Sequence, residues 1–305
     1  MGNVKLNGYL TSIIHKEGVK KQFKFEAKLL KQNGTKDPLN EKRFTKAKGL
    51  IHRYPDRVVL TITNQCFVYC NFCFRKHNWE EFEGFDLNEA ENYIRNHPSI
   101  REVLISGGDP LTLSNRELEN ILKRIKDIPN IKIIRIGSRV LTAFPQRIDE
   151  KLINILRKYL PLWFAIHINH PDEITELFKT KARMLIETGI TIVSQTVLLK
   201  EINDNSHTLE ELFCKLVEIG IKPYYLFGCD QAEANEDYRV SIDKALRIME
   251  DLRFRISGLC MPVFAFDLPE GGGKVVLEPD RIIKRVKNRY IFRNFEGRKI
   301  PYEDV

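Results

Sequence analysis

Three cysteines crowd into the stretch Cys66-Phe-Val-Tyr-Cys70-Asn-Phe-Cys73, while Cys214, Cys229 and Cys260 are scattered along the chain. Three thiolates on one loop can hold three irons of a four-iron, four-sulfur cluster and leave the fourth iron without a protein ligand. A closed structural zinc site wants four ligands, usually as two pairs, and no second Cys or His pair stands at suitable spacing. The residues alone leave two other readings open: a loop of incidental thiols, or a zinc completed by a distant side chain. Six cysteines in 305 residues are too few for a disulfide scaffold, so metal is the first chemistry to consider.

A loop of this kind needs a rigid edge to sit on. Short β-rich runs are predicted at Val58 to Thr63, Glu102 to Ser106, Lys132 to Gly137, Leu162 to His167, Thr191 to Thr196 and Lys222 to Phe227. Stretches with apolar spacing near 3.6 fall between and after them, among them Leu87 to Ile94, Arg116 to Ile125, Asp149 to Leu156, Leu209 to Ile219 and Ser241 to Leu252. This α/β alternation predicts a parallel sheet with right-handed crossovers, as an open doubly wound sheet or a partial barrel. The cysteine loop directly follows the first run. Residues 1–52 are Lys-rich and weakly patterned and read as an N-terminal extension, 53–260 as the main domain, and 261–305, with Pro262, Pro269 and three glycines, as a C-terminal appendage.

Hydrophobic residues make up 43% and charged residues 30% of the chain, which excludes a disordered tail and allows a sizeable core. The net charge of +8 is a mild bias toward anionic partners. No apolar run is long enough for a membrane span or a secretory signal, so a cytoplasmic location and no membrane partner are expected.

The CxxxCxxC loop after the first strand of a six-unit βα chain resembles the radical S-adenosylmethionine superfamily. That likeness implies a partial (β/α)6 TIM-like barrel with N- and C-terminal extensions. SGGDP at 106–110, after the second strand, resembles the superfamily's glycine-rich segment, and the resemblance narrows to the lysine 2,3-aminomutase family through HRYPDR at 52–57, IGSR at 136–139, FPQRI at 144–148, HINHPDEIT at 167–175, YY with CD in 224–230 and GGGK at 271–274. It implies a [4Fe-4S] cluster on Cys66, Cys70 and Cys73, S-adenosyl-L-methionine on the open iron, and pyridoxal 5'-phosphate joined covalently to Lys274. Arg53, Tyr54 and Arg57 would take the phosphate, and Gly107, Gly108 and Asp109 the amino group of the methionine part. His167 and Gln195 would be further contacts to S-adenosylmethionine. Arg75 would anchor the carboxylate of the substrate, and Asp230 with Asp267 the remote ammonium of lysine. The implied reaction moves the amino group of L-lysine from Cα to Cβ to give β-lysine, making the chain an isomerase.

Relatives linked to a translation factor, or acting on another amino acid, are the alternative within this family. Two rivals outside it are a radical enzyme acting on RNA, suggested by the Lys-rich stretch from Lys16 to Lys48, and a plain iron–sulfur electron carrier. Expected partners are a small amino acid and a one-electron reductant such as flavodoxin or ferredoxin, with a homo-oligomer left open and no nucleic acid. Larger members carry a C-terminal cysteine segment for zinc whose partner position is near Asn205; structural zinc is therefore not expected. Phe227 stands where relatives often have Tyr beside the pyridine ring.

Overall fold

The computed structural model describes residues 7–23, 33–77, 84–294 and 296–305. A 10-stranded sheet runs strictly in chain order. Its strands are β1 (Thr45–Ala47), β2 (Leu50–Tyr54), β3 (Arg57–Thr61), β4 (Glu102–Ser106), β5 (Ile133–Ser138), β6 (Leu162–His167), β7 (Thr191–Leu198), β8 (Lys222–Gly228), β9 (Val263–Leu268) and β10 (Gly273–Val276). β3 through β9 are parallel, each beside its predecessor, while β1, β2 and β10 pair antiparallel. Because the order never reverses, every crossover winds the same way and the sheet curls around one interior, where a doubly wound sheet would carry helices on both faces. β1 and β10 stay as edges, so the result is an open, partial barrel.

Ten helices accompany the sheet among the described residues: α1 (Gly8–Ile13), α2 (Glu17–Phe23), α3 (Glu41–Phe44), α4 (Leu87–Arg95), α5 (Asn115–Lys126), α6 (Val140–Ala143), α7 (Glu150–Leu156), α8 (Glu176–Glu187), α9 (Ser206–Glu218) and α10 (Ile242–Arg255). Their starts follow from side-chain caps. Asp86, Asp149, Thr175, Asn205 and Ser241 each accept from a backbone N–H of the first turn, and Ser114 with Glu117 forms a reciprocal box. Each such cap is worth about 0.5–2 kcal/mol. Asn205 serves here as the N-cap of α9, accepting from Thr208 N at 2.9 Å.

Alternation along the strands separates core from cavity. Val103 and Ile105 on β4, and Ile134 and Ile136 on β5, turn outward and are buried under helix side chains such as Leu118, Leu122 and Ile125. Residues of opposite parity, including Leu104, Gly137, Ala165 and Gln195, line the interior.

The six predicted runs all occur, Glu102–Ser106 and Leu162–His167 as predicted and the others with ends moved by at most two positions, within the usual ambiguity of element ends. Three features differ from the sequence reading. The stretch 263–268 is a seventh parallel strand paired to β8, so the C-terminal appendage begins inside the sheet; flanking prolines hid its alternation. The N-terminal extension holds α1 and α2, whose Leu10, Ile13, Val19 and Phe23 form a small core with Val68 and Ala143. Beyond β10, β11 (Ile282–Val286), β12 (Arg289–Arg293) and β13 (Lys299–Glu303) form a separate antiparallel sheet. No described helix is long and apolar enough to cross a membrane.

Candidate active site

A cavity of about 500 Å³ runs through the barrel interior, lined from strand starts such as Arg57 and Glu102 to the loops at the C-terminal ends. Every residue assigned a role from the sequence lines it: Arg53, Tyr54, Arg57, Cys66, Cys70, Cys73, Arg75, Gly107, Gly108, Asp109, His167, Gln195, Asp230, Asp267 and Lys274.

The cysteine loop is held by its apolar residues. Val68 is buried against α1 and α2, and Phe72 against Leu199, Ile202, Cys229 and Tyr238, which leaves the cysteines to face the cavity. All six cysteines of the chain are thiols. Burial, and then the nearby Cys70, push the Cys73 thiol up to about 11, and burial also raises Cys70 despite the Arg139 guanidinium. Metal binding must therefore displace protons from this loop. Among the described residues no three His, Cys, Asp or Glu side chains converge on a point that could hold a metal ion.

The glycine segment after β4 packs on this loop's stem. Gly108 N donates to Thr63 O at 2.6 Å and Asp109 N to Gln65 O at 2.7 Å. A Cβ on Gly108 would lie 2.2 Å from Gln65 O, so glycine is required there for backbone to meet backbone. Asp109 is buried and its carboxylate is spent inward, accepting from Ser138 Oγ at 2.8 Å, Arg139 N at 2.9 Å and Leu111 N at 3.1 Å. The expected role of Asp109 toward an ammonium thus has a competitor already in place, and carbonyls of this segment are the acceptors left. His167, at the end of β6, stacks on Phe72 with centroids 5.6 Å apart, and its Nε2 lies 3.0 Å from Asn169 Nδ2. Burial and then the Arg139 cation hold its pKa well below the usual range, so the ring is neutral at pH 7.

Arg75, two positions beyond Cys73, is engaged by a residue the sequence reading passed over. Glu41, at the start of α3, takes Arg75 in a two-pronged pair at 2.6 and 2.8 Å, and Arg75 Nη1 donates to Gly107 O at 3.2 Å. A carboxylate therefore already sits where the substrate's is expected.

At the other end, Lys274 on β10 is the cross-strand partner of Asp267 on β9. Its Nζ lies 2.8 Å from Asp267 Oδ2 and 4.0 Å from the centroid of Phe227, and its backbone N donates to Tyr54 Oη at 3.0 Å. Arg57 lies over Tyr54 at 4.3 Å, and Arg53 hydrogen-bonds Gly271 O while stacking over Phe44 at 4.8 Å. Gly271 has φ +77, and a Cβ there would strike the Phe44 ring at 2.6 Å, so the turn before Lys274 can close onto β2 only as glycine. Asp230, at the end of β8, is pushed up to about 7 by burial and then by the charge of Asp267.

A profile described as the Radical SAM superfamily matches residues 60–213, and one described as Lysine-2,3-aminomutase matches 249–304. A putative L-lysine 2,3-aminomutase of Aquifex aeolicus is 45% identical over 260 residues, covering 84% of this chain and 70% of that protein. The chain belongs to the lysine 2,3-aminomutase family. The L-lysine 2,3-aminomutase of Acetoanaerobium sticklandii is 42% identical over 272 residues, covering 88% of this chain, and this family member spans only 66% of that enzyme's length. A glutamate 2,3-aminomutase of Clostridioides difficile is 36% identical, with 88% and 64% covered. Among solved structures, SuiB of Streptococcus suis bound to S-adenosylmethionine aligns at a TM-score of 0.53 and 17% identity, covering 70% of this chain and 48% of that one, which is a likeness of fold.

The family uses a [4Fe-4S] cluster, S-adenosylmethionine and pyridoxal phosphate, and the residues present suit them. Three sulfur donors on one loop, all lining the cavity, suit a multi-iron cluster that keeps one iron without a protein ligand. Beside them the Nε of Arg139 is buried without a partner among the described residues, so this corner is suited to an anionic group. Two guanidiniums and a phenol around the Lys274 turn provide what a phosphate monoester needs.

Proposed function

We propose that this chain is a 2,3-aminomutase whose substrate is L-lysine and whose product is β-lysine. The observation that carries this is that Asp267 pairs with the Lys274 amine at 2.8 Å while Asp230, lining the same cavity, is pushed up by burial and by the charge of Asp267. Once Lys274 is committed to the cofactor's aldehyde, that acidic pair needs another cation, because a buried carboxylate without one is costly. The ε-ammonium of lysine supplies it; the side chain of glutamate would add a third negative charge.

When bound, the cluster and S-adenosylmethionine supply the hydrogen-abstracting radical, and pyridoxal phosphate holds the migrating nitrogen. The protein's own share is positioning and charge. Arg75 takes the α-carboxylate of the substrate by exchanging Glu41, and Asp230 and Asp267 grip the far ammonium, so the amino acid is stretched between two fixed points. Arg53, Tyr54 and Arg57 fix the phosphate beside the Lys274 turn. Phe227 gives apolar contact to the pyridine ring and has no hydroxyl to donate.

Anaerobic reconstitution with iron, sulfide and both organic cofactors, followed by product analysis with lysine, glutamate, arginine and ornithine, tests the reading. A β-amino product from lysine alone supports it, and one from glutamate alone overturns the two-carboxylate assignment.

The pH dependence has a defined sign. Asp230 must be ionised to receive a cation, and with its pKa near 7 it is increasingly protonated below that value. The KM for lysine is expected to rise as pH falls below about 7, by up to about tenfold per unit, while Asp230→Asn gives a flat profile over the same range. A flat profile in the unaltered enzyme would contradict this.

A further inference from the structure

The motifs at 136–139 and 167–175 have residues with no part in the chemistry so far, and the structure joins them behind the cysteine loop. Arg139 follows β5 and is buried, yet it carries a full charge. Its Nη1 lies 2.7 Å from Cys70 Sγ, its Nη2 donates to Glu173 Oε2 at 2.9 Å, and the same nitrogen reaches Gln22 Oε1. The guanidinium also sits over the rings of Phe23 at 4.4 Å and Phe72 at 5.6 Å.

Its partners are themselves fixed. The Oε1 of Glu173 accepts from Asn169 N at 2.8 Å, His170 N at 2.9 Å and Gln22 Nε2 at 3.0 Å, and Asn169 Nδ2 donates to Gln22 Oε1 at 2.9 Å. Gln22 is fully buried and comes from α2, so the N-terminal extension inserts one side chain into this network. A buried ion pair is poor value as a source of stability, since apolar side chains of the same volume serve as well. What this pair does provide is a fixed cationic donor aimed at the sulfur of a cluster ligand. Hydrogen bonds and charge at such sulfurs set the potential of an iron–sulfur cluster, and a cation favours the reduced form because it carries one more negative charge.

We propose that Arg139, by donating to Cys70, raises the reduction potential of the cluster into the reach of its electron donor, and that Gln22 is a positioning residue for Arg139. This rests on Cys66, Cys70 and Cys73 as the cluster ligands. The test uses the full chain, anaerobically reconstituted, as wild type, Arg139→Gln, Arg139→Lys and Gln22→Ala. Iron and sulfide are counted, and the reduced fraction is read by electron paramagnetic resonance at a series of poised potentials.

In fully loaded Arg139→Gln the ratio of reduced to oxidised cluster at a given potential is expected to fall about tenfold, a shift of about 59 mV for one electron. Arg139→Lys, which keeps the charge, recovers part of the loss, and Gln22→Ala moves the ratio the same way by less. A loaded Arg139→Gln protein with the wild-type ratio overturns the inference. Should that variant fail to load, Gln22→Ala decides: a lowered ratio supports the inference and an unchanged one overturns it. A wild-type protein that takes up no cluster overturns the proposed function as well, so the two failures are distinct.

Discussion

Lys274→Ala is expected to lose the absorbance band of lysine-bound pyridoxal phosphate and to form β-amino acid about 10²- to 10⁴-fold more slowly, the range typical of a positioned group at the reacting centre. The backbone there is held by its ladder to Asp267 and by its N–H to Tyr54, and neither depends on the amine, so the variant should fold. Its side chain, however, is the cation paired with Asp267, and its charge also favours the ionised form of Asp230. The cofactor-free variant is therefore expected to be less stable than the parent at neutral pH and to regain ground as acid protonates Asp230, a difference that thermal melts at two pH values would reveal. A variant that keeps the absorbance band would place the covalent anchor elsewhere.

Asp230→Asn is the second large effect. Truncating one partner of a buried, hydrogen-bonded charge pair costs about 2–5 kcal/mol. On that scale kcat/KM for lysine is expected to fall between roughly 30-fold and several thousand-fold, at about 1.36 kcal/mol per factor of ten. Because the carboxylate contacts the far end of the substrate in this reading, most of the loss should appear in KM. Steady-state kinetics separate the two parameters, and an unchanged KM would remove Asp230 from the binding site.

Which parts of this site could be read in the sequence follows from how each is built. Cys66, Cys70 and Cys73 stand out because all three lie on one loop, whereas Lys274 is reached only through the ordered run of family motifs, since a lysine after three glycines reads by itself as part of a flexible loop. The strands were legible where alternation ran unbroken. β9 was hidden between Pro262 and Pro269, and α2 in a stretch whose lysines mask Val19 and Phe23. The network of Arg139, Glu173 and Gln22 draws one residue from each of three distant segments. In a single sequence Gln22 is a polar residue among lysines and Glu173 an ordinary turn carboxylate; only folding buries them and makes them partners. Glu41 escaped notice for the same reason, since nothing local marks it as the counterion of Arg75.

The antiparallel rungs that set Lys274 opposite Asp267 make their separation of 7 positions a matter of geometry. Strand side chains alternate between faces, so lengthening β10 by a single residue ahead of the lysine, without a compensating bulge, would turn its amine outward while every other feature of the family survived. Insertions and deletions in this hairpin are consequently tolerable only where they preserve parity, and a genome survey that finds the glycines and the lysine at an altered count should read such a gene as having lost the anchor proposed for Lys274.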